Sequence, residues 1–354
     1  MKILGIETSC DETSVSVVED GRVLHSNVVL SQIDIHKQYG GVVPEVAARS
    51  HLEAMMPVVD QALTQANCNW TDIDGIAVTY GAGLSGSLLI GVMSARILAI
   101  IKDKPLYACN HVEGHVYANL LTDSKGNDSL ALPTSAPEFP LLALIVSGGH
   151  SQLVYFREHF DYTLLGVTLD DAIGEAFDKV AKILGLPYPG GPSVSKAALD
   201  GDPAAYKLPI ARVEGEYDFS FSGLKTATLR LGQKLAGSDH TLPSFEVADK
   251  LTEQQIADVA ASFQYTAVKT VVDKTIKAFE QFQPKSVVIA GGVAASQELR
   301  RQLSERLPIN IEYAPPSLCT DNGAMIACLG CYHAMLGRDP VDPYTLDVDP
   351  SLRM

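Results

Sequence analysis

LLALIVSGGHSQLVY, residues 141–155, is the stretch on which the fold turns. Leu141 to Val146 is an unbroken apolar run, the pattern of a strand buried on both faces. It stops at Ser147-Gly148-Gly149-His150, and apolar residues resume at Gln152-Leu153-Val154-Tyr155. That is a strand, a polar turn and a returning strand. Glycines in such a turn let the backbone approach a phosphate or an adenine closely. The chain opens in the same manner. Ile3-Leu4-Gly5-Ile6 runs into Glu7-Thr8-Ser9, a short strand follows at 14–18, Asp20-Gly21 turns, and the chain resumes at Val23. Two more apolar runs end on small residues: Ile76-Ala77-Val78-Thr79 before Tyr80-Gly81-Ala82-Gly83, and Ser286 to Ala290 before Gly291-Gly292.

The repetition reads as an internal duplication. Two lobes, each presenting a phosphate-facing turn to a shared cleft, describe an α/β chain with the duplicated nucleotide-binding fold of actin, Hsp70 and the sugar kinases. Helices are expected at 44–66, 86–101, 171–184, 254–282 and 321–336. The fourth carries Ile256, Val259, Ala260, Phe263, Ala267, Val268, Val271 and Val272 at helical spacing. The segment 122–137, TDSKGNDSLALPTSAP, reads as a mobile loop at a lobe boundary. The expected division is an N-terminal lobe over 1–137, completed by a helix at about 321–340, and a C-terminal lobe over 138–320. The proline-rich tail after Gly337 is expected on the surface.

The bulk numbers fit this division. A chain of 354 residues suits two lobes, and 46% hydrophobic with 19% charged residues is an ordinary globular composition. No apolar run approaches the ~20 residues of a bilayer span. The start, MKILGIETSCDETS, lacks the basic and long apolar regions of a secretory signal. These features predict no membrane association and a cytoplasmic location, or an organelle after loss of a transit peptide. The six cysteines are scattered and read as free thiols, with Cys328 and Cys331 in a buried helix. The net charge of −15 argues against a chain that coats nucleic acid by itself, because phosphate contacts need Lys and Arg.

The sharpest chemical signal is Asn110-His111-Val112-Glu113-Gly114-His115. Histidines at i and i+4 share one helix face and can reach one metal ion. Glu113 lies two residues after His111, about 200° around the helix, so the general base of a zincin-type protease is missing. Two histidines near a helix end are the competing reading. Asp321, in Cys319-Thr320-Asp321-Asn322-Gly323, is either a third ligand or the cap of the next helix. Two histidines and a carboxylate with open positions suit Fe(II) or Zn(II). The turn Ser147-Gly148-Gly149 can present amides to an anion, Pro189-Gly190-Gly191-Pro192 reads as a rigid turn, and Gly291-Gly292-Val293 could flank an adenine. Asp170, Asp171 and Glu175 suit a helix start, while Asp178 could accept from a ligand hydroxyl. The stretch 218–225, DFSFSGLK, is either a substrate-touching loop or a surface hairpin.

Taken together, GIETSCDETS (5–14), YGGVVPEVAAR (39–49), HVEGH (111–115), IVSGGHSQL (145–153), DDAIGEAFDKVAKILGLPYPGGP (170–192), DFSFSGLKT (218–226), AGGVAAS (290–296) and CTDNGAMIA (319–327) closely resemble the bacterial or mitochondrial tRNA N6-adenosine threonylcarbamoyltransferase family, formerly called glycoproteases. The resemblance covers nearly the whole chain. It implies transfer of a threonylcarbamoyl group from threonylcarbamoyl-adenylate to N6 of adenosine 37 in tRNAs reading codons that start with A, releasing AMP. It implies one divalent metal ion, Fe(II) ahead of Zn(II), on His111, His115 and Asp321. It places the adenylate against Ile145, Val146, Ser147, Gly148, Gly149, Asp178 and Gly191. Ser296 stands where the family motif has asparagine, and its single donor and shorter reach imply a weaker or water-mediated contact. Asp11 and Glu12 would assist catalysis. The implied partners are tRNA, a catalytically inactive paralogue and a small ATPase, and a homodimer stays open. Basic clusters at Lys179/Lys182, Lys225/Arg230 and Arg300/Arg301 would meet tRNA. The alternative is an ATP-dependent small-molecule kinase of the same fold, which would have no use for the histidine pair.

Overall fold

The computed structural model describes residues 1–125 and 130–354. The chain divides into two compact units, Met1–Pro137 with Tyr313–Met354, and Glu138–Glu312. The first begins with a meander, β1 (Lys2–Glu7), β2 (Glu12–Glu19) and β3 (Val23–Ser31). It continues through α1 (Ile33–Lys37), α2 (Pro44–Gln65), β4 (Gly75–Gly81), α3 (Ser85–Lys102), β5 (Leu106–Asn110), α4 (His111–Tyr117) and the short β6 (Asp123–Ser124). The second unit holds β7 (Leu141–Val146), β8 (Ser151–Glu158), β9 (Asp161–Val167), α5 (Ile173–Ile183), α6 (Gly190–Ala198), α7 (Ser222–Leu235), α8 (Glu253–Phe282), β10 (Ser286–Ala290) and α9 (Gln297–Arg306). After β11 (Ile311–Tyr313) the chain returns to the first unit with α10 (Pro316–Cys319) and α11 (Gly323–Met335).

The two sheets repeat one topology. Their strand orders are β5-β4-β1-β2-β3-β6 and β11-β10-β7-β8-β9. In each, the first strand pairs antiparallel with the second (Ile3 opposite Val18, Leu144 opposite Leu153) and parallel with a later strand, β4 or β10. This is the duplicated α/β arrangement of the actin/Hsp70/sugar-kinase class. The apolar runs become strands because both faces are covered: every residue of β7 and of β10 is buried. In the first unit Leu4, Ile6, Val15 and Val17 share a core with Val58, Val59, Ala62, Val92 and Ala95.

Helix α3 is long and apolar enough, by composition, to cross a bilayer. Here Leu88, Val92, Ala95, Leu98 and Ala99 face the core. Helix α8 begins with a capping box between Thr252 and Gln255 and buries Phe263, Val268, Val271 and Val272. Helix α11 lies on β1 so closely that a Cβ on Gly5 would sit 2.3 Å from Ala327 N.

Several expectations need correction. Pro189-Gly190-Gly191-Pro192 is no free-standing turn, because Gly190 opens α6. A Cβ on Gly190 would lie 2.4 Å from Asp178 Cα, so the close approach to α5 demands glycine. Phe219 and Phe221 are fully buried and Ser222 opens α7, so 218–225 is not a surface hairpin. The tail is also more than surface: Val341 bridges to Leu106, and Val341, Leu346 and Val348 pack on the first unit's core. Arg96 donates to the carbonyls of Pro343, Tyr344 and Leu346 and so fastens it. Of the expected loop 122–137, residues 126–129 lie outside the described residues. Asp123–Ser124 form β6, paired with β3.

Candidate functional site

The first unit gathers His111, His115 and Asp321. One ligand atom from each lies within 4.8 Å of the others. Both histidines sit on α4, one turn apart, with ring centroids 4.7 Å apart and planes at 78°. Nε2 of His111 is 3.6 Å and Nε2 of His115 is 3.3 Å from Oδ1 of Asp321. Neither histidine caps the helix. Asn110 does, its Oδ1 accepting from the amides of Val112 and Glu113 at 2.8 and 3.3 Å. Asp321 is likewise spared capping duty, because the side chain of Asn322 accepts from Met325 N–H and starts α11.

The pocket fits a cation. Among the described residues, neither buried ring nitrogen of His115 has a hydrogen-bond partner, although Nε2 lies close to Asp321. Leaving two such nitrogens unmatched is costly unless something occupies the lone pair. A metal ion would do so at Nε2. Burial works to lower the His111 pKa, but the charges of Asp321 and Glu7 carry it up to about 9. Glu113 lies on the far side of the pair in sequence register; burial pushes its carboxyl up to about 7.

Sequence reasoning passed over Glu7. It is fully buried at the end of β1. Its Oε1 accepts from Ser9 N–H, and its Oε2 accepts from the Thr79 hydroxyl and lies 3.2 Å from His111 Nδ1. Burial works to raise the Glu7 pKa, yet the charge and hydrogen bond of His111 hold it below the usual carboxylate range. The available signal was an acid closing the apolar run Ile3-Leu4-Gly5-Ile6, which demands donors. Asp11, in the turn between β1 and β2, and Glu12, the first residue of β2, belong to the same neighbourhood. Burial, then Asp321 and Asp11, push the Glu12 carboxyl up to about 9.

The other expected residues lie in the second unit. Ile145 and Val146 end β7 and are buried, pointing no side chain into solvent. Ser147 closes the turn: its N–H donates to His150 O at 2.8 Å, and its Oγ accepts from His150 N–H at 3.1 Å. Gly148 and Gly149 have open space where a Cβ would be. The turn is held against α5, since a Cβ on Gly174 would be 2.6 Å from Ser147 O. Gly291, at φ +88°, approaches Val146 O equally closely. Asp178 Oδ1 accepts from Gly190 N–H at 2.6 Å, and burial raises its pKa. Gly191, next along α6, faces open space. Ser296 is the N-cap of α9, accepting from Leu299 N–H at 3.4 Å.

One member of each basic cluster is paired with acidic side chains. Lys179 pairs with Asp171 and Glu175, Lys225 with Asp171, and Arg301 with Glu298 and Glu305. Asp170 accepts from Ser220, Phe221 and Ser222, which pins the DFSFSGLK segment.

A family model described as tRNA N6-adenosine threonylcarbamoyltransferase matches residues 23–328. The chain belongs to the tRNA N6-adenosine threonylcarbamoyltransferase family. A protein of that name from Thermomicrobium roseum is 50% identical over 344 residues, covering 95% of this chain and 93% of the relative. One from Desulfitobacterium hafniense is 49% identical over 358 residues, covering 100% and 98%. Among solved structures, the HypF of T. kodakarensis superposes with a TM-score of 0.57 at 15% identity, over 94% of this chain and 48% of that one. That likeness speaks for the fold alone. Threonylcarbamoyltransferases are acyltransferases, and the kinase alternative is not favoured.

Proposed function

We propose that this chain transfers the threonylcarbamoyl group of threonylcarbamoyl-adenylate to N6 of adenosine 37 in tRNAs reading codons that start with A, releasing AMP. The observation that carries the reading is the convergence of His111, His115 and Asp321 within 4.8 Å in a chain of this family. The N6 amine forms a bond to the carbamoyl carbon, the bond from that carbon to the phosphate oxygen breaks, and N6 loses a proton. The amine is a weak nucleophile, so positioning of both reactants dominates.

In this reading His111, His115 and Asp321 hold one divalent ion, Fe(II) ahead of Zn(II), the donor set of two imidazoles and a carboxylate with open positions. When bound, the ion supplies Lewis acidity toward the carbamoyl oxygen or the threonyl carboxylate. In the turn Ser147-Gly148-Gly149 the Gly148 and Gly149 amides are directed at the leaving phosphate, the Ser147 amide being taken by His150 O. Ile145 and Val146 form the buried strand end that supports it, while Asp178, Gly191 and Ser296 border the nucleotide. Asp11 and Glu12 assist the transfer as the candidate acceptors of the N6 proton. The two compact units serve as the two lobes of the fold.

The partners are tRNA, an inactive paralogue and a small ATPase, with a homodimer as an alternative assembly, and the setting is cytoplasmic with no membrane. Two features support reliance on partners: the net charge of −15, and apolar side chains exposed on α2 and α3, among them Leu52, Met56, Ile97 and Ile101. The test is reconstitution with the partner subunits, an adenylate synthase, threonine, bicarbonate, ATP and unmodified tRNA. The expected product is the modified nucleoside, lost in His111→Ala. Full activity of that variant removes the ion from the mechanism. Phosphorylation of a small metabolite instead returns the kinase reading.

A further inference from the structure

Glu7 has no part in the chemistry proposed above, yet it is a fully buried acid beside a ligand histidine. Its Oε1 accepts from the Ser9 amide at 2.5 Å, and its Oε2 accepts from the Thr79 hydroxyl at 2.5 Å. The same Oε2 lies 3.2 Å from Nδ1 of His111. A carboxylate has acceptors only, so the proton shared along this contact sits on Nδ1. Ser9 Oγ, 3.0 Å from that nitrogen, can either donate or accept and therefore selects neither tautomer. With Nδ1 protonated, the in-plane lone pair of the neutral ring is on Nε2, the atom 3.6 Å from Asp321 Oδ1.

The geometry points to Glu7 as a positioning residue whose buried carboxylate locks His111 in the Nδ1–H tautomer and so reserves Nε2 for the metal ion. The inference rests on the metal reading above. It explains why a strand otherwise apolar, Ile3 to Ile6, ends on an acid with no exposure to water. It also accounts for the donors around that acid: Ser9 N–H and Thr79 Oγ–H satisfy the lone pairs His111 does not. Carboxylates that hold a ligand imidazole in this way change metal affinity about 10–100-fold when lost.

Glu7→Gln keeps the shape but lets an amide NH2 face Nδ1, which would move the ring proton to Nε2. The full chain is titrated with Zn(II) against a competing chelator at pH 8, and histidine-labelled metal-free protein is read by ¹⁵N NMR over a pH series, the tautomer being taken from the high-pH plateau of the ring shifts. The expected results are a roughly 10–100-fold weaker Zn(II) affinity in Glu7→Gln, an Nδ1–H signal for His111 in the unsubstituted protein, and an Nε2–H signal in the variant. Ser9→Ala should bind Zn(II) within about twofold of the unsubstituted protein, since Ser9 leaves the tautomer unchosen. Equal affinity in Glu7→Gln, a loss in Ser9→Ala as large as in Glu7→Gln, or an Nε2–H ring in the unsubstituted protein overturns the role of Glu7. Failure of the unsubstituted protein to bind Zn(II) would instead sink the metal reading, and the tautomer measured by NMR would still decide on Glu7. Should Glu7→Gln not fold, the NMR of the unsubstituted protein carries the decision.

Discussion

Gly5→Ala is a one-carbon change at β1 that should disable a site whose residues it does not touch. A Cβ at position 5 would lie 2.3 Å from Ala327 N, 2.5 Å from Gly323 O and 2.8 Å from Ala327 Cα. All three are backbone atoms of α11, so no side chain can rotate away. Restoring ordinary contact requires α11 to move by about 1 Å, and overpacking of this kind costs about 1–3 kcal/mol. In thermal unfolding that is a fall of roughly 2–12 °C. Asp321 stands just before α11, and metal ligands tolerate errors of only about 0.2 Å. Metal affinity should therefore fall more than stability does, by tenfold or more, a displacement of about 1 Å being several times that tolerance. Differential scanning fluorimetry and chelator-competition titration read the two effects separately. Gly223→Ala is the control: it lies in the first turn of α7 with open space at its Cβ, and should be neutral or stabilising by up to ~1 kcal/mol. If Gly5→Ala keeps both the melting temperature and the metal affinity of the unsubstituted protein, the claim that α11 is seated by that glycine is wrong.

Asp321→Asn should lower metal affinity by about 10²-fold or more, exceeding the loss typical of outer partners, while melting changes little because Asn322 still caps α11. His333 is held neutral: burial, then the Arg338 charge, bring its pKa down to about 4. A depressed histidine contributes stability that is complete above its unfolded pKa and is lost as pH falls through the folded value. Melting of the protein should thus drop between pH 6.5 and about 4, and His333→Gln should flatten that part of the profile; an unchanged slope rejects the assignment. Ser296→Ala should cost about 0.5–2 kcal/mol through loss of the α9 cap, whereas Ser296→Asn should be near neutral in urea denaturation. Arg96→Ala releases three tail carbonyls, and limited proteolysis should then cut within 338–354 before the rest of the chain.

Much of the fold could be read from local pattern. Continuous apolar runs ending on small residues identified β1, β4, β7 and β10, because burial on both faces leaves no polar position in a strand. Helix α8 was visible because a long helix shows its stripe several times over. The histidine pair and Asp321 could be nominated from residue type and spacing, but that Asp321 does not cap α11 became visible only with Asn322 in that place. Elements set by distant contacts were illegible. Gly190 opens a helix only because Asp178 takes its amide from another element. The tail looks like a surface strand of prolines until Arg96, some 250 residues earlier, is seen to gather its carbonyls. Glu7 was hidden for the same reason: its partners Thr79 and His111 are remote in sequence, and one acid at a strand end gives no hint of what it holds.

The first unit is made from both ends of the chain, with the second unit inserted as one continuous piece. On the ribosome its sheet emerges early but must wait for α11, roughly 200 residues behind His115, before β1 has its covering helix; such distant pairing is slow to form and aggregation-prone while open. The inserted unit has no such wait. Nascent chains should accordingly show a protease-resistant second unit before the first one closes, and the histidine–aspartate trio should come into being only in the final stages of synthesis.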